Sequence, residues 1–484
     1  MDDWSRRRWL SALGCGAAST IAWACGGGRG RGVARPVDEL EDLGARLVGE
    51  GARVADEFRR GAVQVVAHRH VVASADASGA VIRDEVTTRA LARGQDAHGR
   101  FRERATSGAS REAIAALVDG LLGGRRAAAA RGDELAVPST AANHRRYTGA
   151  DDPALAPATA WLDRAIALRT RADAAGSSRI VYRAGFVELD DTEVWCADRT
   201  GLRRQRLVRA RAGVLLVAWT GGRPVHAVAE VAAPIGLDIA ARLDDAAIAR
   251  AAQRALEPLT PGEGPSGDTA VVLDPSVVAA LVDRGLVPRL TRGGDPREPD
   301  WQLAAAIEIT DDARAASYGG YAFDDDGQPA AALALVRGGA RVGLLGGTDV
   351  APAQQRRPGH IGGARSAAAH LVIAPGEHDV EALIAGIDKG YLLEDAGAAQ
   401  LDRARWELAV PVARARRIEH GQRTGHVYGD LELRGAVPAL LGGVTAVSRD
   451  VGAIAWRDEE AELPLWRSAQ APWCATRGAL VARS

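Results

Sequence analysis

The sequence predicts an α+β fold of two domains, an N-terminal α/β-hairpin domain and a C-terminal β-rich domain of curved antiparallel sheet. Three observations carry this expectation. The chain has 484 residues, more than one ordinary domain. Its β-prone runs cluster over residues 178–231 and again beyond 268, in hairpin-like groups rather than alternating with helices. Between the two clusters, Thr260-Pro-Gly-Glu-Gly-Pro-Ser-Gly267 is the clearest linker in the chain. The expected divisions are 1–32 for a signal and Gly-rich tether, 33–262 for the first domain and 268–484 for the second.

The elements follow in order. Ser5-Arg6-Arg7-Arg8-Trp9-Leu10 resembles a twin-arginine export signal, and the apolar stretch after it is too short to span a bilayer. Ala22-Trp-Ala-Cys25 fits signal-peptidase cleavage, or lipidation of Cys25 ahead of a Gly-rich tether. Export to the periplasm or to a lipoprotein anchor is therefore expected, the alternative being a cytoplasmic protein with an Arg-rich tail. Leu40, Leu43, Leu47, Val54 and Phe58 give helical spacing over 38–62. Strands are expected at 63–74 and 79–86, and a helix behind Gly108 with Ser110 as its N-cap, ending at Gly123. Another helix spans Pro157 to Ala174. From 178 the pattern reads as six short strands with turns at Asp190-Asp191, Thr200-Gly201 and Gly221-Gly222. Residues 243–256 are helical.

The second domain opens with a strand, a proline and a helix, Ala270 to Arg284, and a later helix runs from Asp379 to Lys389, capped by Gly390. Its most distinctive segment is Tyr318-Gly-Gly-Tyr-Ala-Phe-Asp-Asp-Asp-Gly-Gln-Pro329, a strand and an acidic turn. A hairpin follows, in which Arg337-Gly-Gly-Ala340 closes two apolar strands.

A net charge of -1 gives no global pull toward nucleic acid or anionic membrane. Lys389 is the only lysine, and the arginines form no basic stripe with interleaved aromatics. His68-x-His70 in a strand puts both imidazoles on one face, half of a metal site, but no third ligand stands at characteristic spacing. Cys196 and Cys474 are the cysteines beyond the leader, and they read as two unpaired buried thiols, pairing being the alternative.

The Phe323-Asp-Asp-Asp-Gly-Gln-Pro329 block, preceded by Ile307-Glu-Ile-Thr-Asp-Asp312 and followed by Pro375-Gly-Glu-His-Asp379 and Glu419-His-Gly-Gln422, resembles the TldD/PmbA family from about residue 38 to the end. The resemblance implies a metallopeptidase-related protein. Family peptidases carry His-Glu-x-x-x-His on the helix after the proline, two imidazoles holding zinc beside a glutamate base. Here those positions are Val282, Asp283 and Val287, so neither zinc ligand is present and no catalytic residue is assigned. The resemblance then implies a non-catalytic subunit, with zinc held only by a TldD-like partner, or a self-dimer. Tyr318, Tyr321 and Phe323 are the candidate wall of a peptide chamber. Two alternatives stand beside it: a stand-alone exported peptide-binding protein, and a zinc peptidase with ligands relocated to residues such as His360, His370 and His378.

Overall fold

The computed structural model describes residues 43–58, 60–96, 101–123, 143–146, 152–153, 156–199, 201–220, 223–260, 264–291, 301–324, 329–345, 367–458 and 465–482. Arg6, Arg7, Cys25, His360 and the acidic turn 325–328 lie outside them.

The chain folds as an α+β protein around two sheets. The first has seven strands: β1 (Arg60–Asp76), β2 (Gly79–Gln95), β3 (Phe101–Ser107), β4 (Asn143–Arg146), β5 (Ile180–Asp198), β6 (Gly201–Thr220) and β7 (Arg223–Ala233). Their order is β3-β2-β1-β5-β6-β4, with β7 also on β6. Period-two alternation divides β1 and β5 into two faces. Val63, Val65, Val71, Val187, Leu189 and Trp195 lie under five helices. These are α1 (Leu43–Glu57), α2 (Arg111–Leu122), α3 (Ala158–Ala174), α4 (Ile239–Arg242) and α5 (Asp245–Leu256). Ser110 caps α2 by accepting from Ala113 N–H at 3.2 Å, and Gly123 closes it in the left-handed conformation, as the sequence predicts.

The region read as six short strands is three long ones. Asp190-Asp191 is no turn but lies inside β5, opposite Arg209 and Val208 of β6. The two carboxylates point to opposite faces, Asp191 to Arg206 and Asp190 to His68. Strand β5 is buried on both sides over most of its length, which removes the alternation a half-exposed strand would show.

The second sheet begins with β8 (Gly267–Leu273), β9 (Ile309–Asp312), β10 (Ala332–Arg337), β11 (Ala340–Arg341) and β12 (His370–Ile373). It continues through β13 (Lys389–Ala396), β14 (Gln400–Asp402), β15 (Glu407–Glu419) and β16 (Gln422–Tyr428). The last strands are β17 (Leu431–Ala436), β18 (Ala446–Asp458) and β19 (Leu465–Ala482). Strand β19 pairs with both β17 and β8, so β19, β17, β15, β13 and β8 close a ring. Gly338 and Gly339 both take positive φ in the turn between β10 and β11, the hairpin expected there. Residues 318–323 form no strand; Phe323 makes one isolated bridge to Pro329. Helix α6 (Pro275–Ala280) is followed by a π-turn, Leu281–Leu286, and one 3₁₀ turn, Val287–Arg289. Helix α7 (Val380–Ala385) ends at Gly386 rather than Gly390, because Lys389 and Gly390 already belong to β13. Helix α8 (Val437–Gly442) packs on the core of this domain.

The two sheets meet along a buried seam. Gln205 of β6 donates to Phe323 O at 2.9 Å and accepts from Ala322 N–H at 2.8 Å. Arg209 donates to the carbonyls of Tyr318 and Gly320 at 2.7 and 3.1 Å, its guanidinium 4.6 Å over the Trp466 ring. A second tie comes from Arg414, which pairs with Asp395 at 2.5 Å and donates to the carbonyls of His226 and Arg254. No helix among the described residues is long and apolar enough to cross a membrane.

Candidate functional site

The helix that should carry the metal motif starts at Asp274. Its carboxylate caps α6, accepting from Val277 N–H at 2.9 Å, the Ser276 hydroxyl at 2.6 Å and Asp395 N–H at 3.0 Å. Burial pushes this carboxyl up to about 6 despite those bonds. A folded pKa above the unfolded one gives stability that is full below about pH 4 and is lost as pH rises through 6. Asp274→Asn gives up one acceptor, at a cost of about 1 kcal/mol, but does not titrate. From pH 4 to 7 its stability is therefore expected to gain on the parent protein by up to about 3 kcal/mol, read from urea unfolding at each pH.

After α6 the backbone changes period. Val287 N–H bonds to Val282 O, five residues back. On an α-helix, residues five apart are turned by about 140° from one another, whereas a turn closed by this bond brings the second residue back over the first. The turn thus brings Val282 and Val287, where the resemblance would place the two histidines of His-Glu-x-x-x-His, onto one side. Val282 is 1 % exposed and Val287 3 %, both inside the main apolar cluster of the second domain. Asp283, in the position of the base, is 3 % exposed and accepts from Arg467 of β19 at 2.8 Å. Arg467 also donates to Asp458 at 2.5 Å, and Arg284 to the same carboxylate oxygen at 3.2 Å. These residues do not fit a zinc ion: both would-be ligand positions are hydrocarbon, and the acidic residue beside them already carries a guanidinium as its counter-charge.

Cys474 lies in β19 beside Leu273, with its thiol pushed up to about 12 by burial; it and Cys196 are both buried. His370 shares a hydrogen bond with Ser468 at 2.9 Å, and burial lowers its pKa. His378 is exposed, two residues before α7, and bridges to Ser448. Tyr318, Tyr321 and Phe323 are 1–2 % exposed. Phe323 packs on Val66, Val194 and Cys196, and Tyr321 on Leu207. Within this chain they fill the seam between the sheets and present no open wall.

The polar cluster that sequence spacing dismissed is on that same seam. His68 and His70 stack at 5.9 Å, and β5 brings two carboxylates to them. His68 Nε2 lies 2.8 Å from Asp190 Oδ1, and His70 Nε2 3.0 Å from Glu188 Oε1. Burial lowers the pKa of His68, its carboxylate partner notwithstanding. Burial alone would raise Asp190, but the Arg457 guanidinium and the two histidines outweigh it and hold it low. Glu188 is likewise held low against burial, by His70 and Arg457. The partners lie about 120 residues from the histidines, which is why no local motif announced them.

Comparison with known proteins places these features. Residues 266–481 match the family model described as the PmbA/TldA metallopeptidase C-terminal domain. A curated metalloprotease of Methanothermobacter thermautotrophicus is 26% identical over 224 residues, 42% of this chain and 47% of that protein, so the match spans about half of the relative's length. Among solved structures, a proposed modulator of DNA gyrase from Bacteroides thetaiotaomicron aligns with a TM-score of 0.67 at 15% identity, covering 93% of this chain and 100% of its own. A second such protein, from Thermotoga maritima, gives 0.68 at 14% identity, covering 87% and 96%. TldE from Thermococcus kodakarensis gives 0.63 at 16%, covering 93% and 100%. These three likenesses show a shared fold.

Proposed function

The chain belongs to the TldD/PmbA family, and from that premise we propose that it is a non-catalytic subunit of a peptide-processing assembly whose zinc is held by a TldD-like partner. One observation carries the reading. A π-turn that would align two zinc-binding histidines lies where the resemblance places them, and its facing positions, Val282 and Val287, are buried hydrocarbon. The likeness in fold to a TldE supports the subunit role. Rigid joining of the two sheets suits a protein that contributes a fixed wall to a shared chamber. Export through the Arg6-Arg7 signal, and the division into domains at 33–262 and 268–484, belong to the same proposal.

Co-expression with a zinc-bearing relative tests it. The expected product is a stable complex in which this chain contributes no peptidase zinc. A self-dimer that ignores such a partner and retains peptide would point instead to a stand-alone binding protein.

A further inference from the structure

At the seam between the sheets, the polar cluster has more oxygen atoms than partners. His70 of β1 stands directly opposite Asp190 of β5, and Glu188 lies two residues along the same face. One ligand-capable atom from each of the three lies within 4.8 Å of the others. Asp190 is fully buried, yet its Oδ2 has no hydrogen-bond partner among the described residues. Neither has the Tyr318 hydroxyl, on a side chain 2 % exposed. Arg209, opposite Asp190 in the ladder, holds the Tyr318 carbonyl at 2.7 Å, which sets residue 318 beside this cluster. A buried oxygen left without a partner costs about 1–3 kcal/mol, and native structures rarely leave two together.

We infer that His70, Glu188, Asp190 and the Tyr318 hydroxyl bind one divalent transition-metal ion that ties the first sheet to the second, as a structural site separate from any peptidase zinc. The mixed nitrogen and oxygen donors suit Mn²⁺, Fe²⁺, Co²⁺ or Zn²⁺ better than Mg²⁺ or Ca²⁺, which take oxygens. Two neighbouring strands hold His70, Glu188 and Asp190, so the spacing of these three is fixed by the ladder. His68, on Asp190 Oδ1, orients that carboxylate and leaves Oδ2 turned toward the ion. Arg457 stands 3.4 Å from Glu188 and 3.6 Å from Asp190, and Arg211 3.7 Å from Glu188, longer than charge-assisted hydrogen bonds. Binding requires deprotonated ligands, so the affinity falls as pH falls.

The full chain, expressed with added Mn²⁺, Fe²⁺ and Zn²⁺ and purified without chelator, is expected to carry about one equivalent of one of these metals. Asp190→Asn is expected to abolish it. Because that change also disturbs the seam, Tyr318→Phe supplies a second variant: folded by circular dichroism, with Co²⁺ affinity lowered about tenfold or more. Wild-type protein without stoichiometric metal, or a full equivalent retained at unchanged affinity in both variants, overturns the inference. An ordered water alone at Asp190 Oδ2 in a high-resolution crystal structure overturns it as well. The readout is metal content, so it fails or succeeds independently of whether a partner cleaves peptide.

Discussion

Arg467→Met is expected to lower stability by about 3–5 kcal/mol, the usual result of leaving a buried charge without its partner. The side chain is buried, donates to Asp283 at 2.8 Å and to Asp458 at 2.5 Å, and its guanidinium lies 5.6 Å from the Trp456 ring centroid. Without it, Asp283 loses its 2.8 Å charge-assisted hydrogen bond inside the domain core. Removing the second charge as well should restore much of the loss, since well-packed hydrocarbon often replaces a buried ion pair at little cost. The double variant Arg467→Met with Asp283→Leu is therefore expected to unfold at a higher temperature than the single one. A single variant that costs less than about 1 kcal/mol, the value of an exposed pair, would mean that Asp283 is not held this way. The pair also holds β19 to the π-turn.

Gly319→Ala is expected to cost about 3 kcal/mol or more, at the upper end of overpacking effects. A Cβ at this position would lie 1.8 Å from the Ala369 carbonyl oxygen. The neighbours have no room to yield, because Ser468 N–H already donates to that oxygen at 3.1 Å, and Gly319 N–H donates to the Ser468 hydroxyl at 3.1 Å. Any shift of the segment would also break the bonds of Arg209 to Tyr318 and Gly320. Gly49→Ala is the matched control, in helix α1 with nothing within 4 Å of the added carbon. There alanine should add up to about 1 kcal/mol. Denaturant midpoints of the two variants should move in opposite directions; equal shifts would contradict the packing of the 318–323 segment.

Much of this architecture was legible in the residues. Ser110 and Gly123 mark the ends of α2 by their own chemistry, and Gly338-Gly339 dictates its turn. The order of polar and glycine-rich blocks beyond residue 268 carried the resemblance, and residues 266–481 match the C-terminal model of that family. The misreadings share one physical cause: long-range burial. Asp190 and Asp191 look like a turn because buried carboxylates in mid-strand are rare; the counter-charge of Asp190, Arg457, lies far along the chain, and that of Asp191, Arg206, on the neighbouring strand. Tyr318, Tyr321 and Phe323 look like a chamber wall because aromatics flanked by glycines suggest exposure, but Gln205 and Arg209 draw their backbone into the seam. His68 and His70 lacked a third ligand in sequence, and β5 supplies two. The π-turn has no local signature, and it becomes meaningful only with the positions it stacks.

The most direct measurement is cleavage of an unfolded peptide by the purified chain, loaded with zinc, alone and mixed with a zinc-bearing TldD-like partner. The chain alone is expected to leave the peptide intact, with or without added zinc or chelator, and the mixture to cleave it. Cleavage by the chain alone that chelator abolishes and zinc restores would contradict the non-catalytic reading.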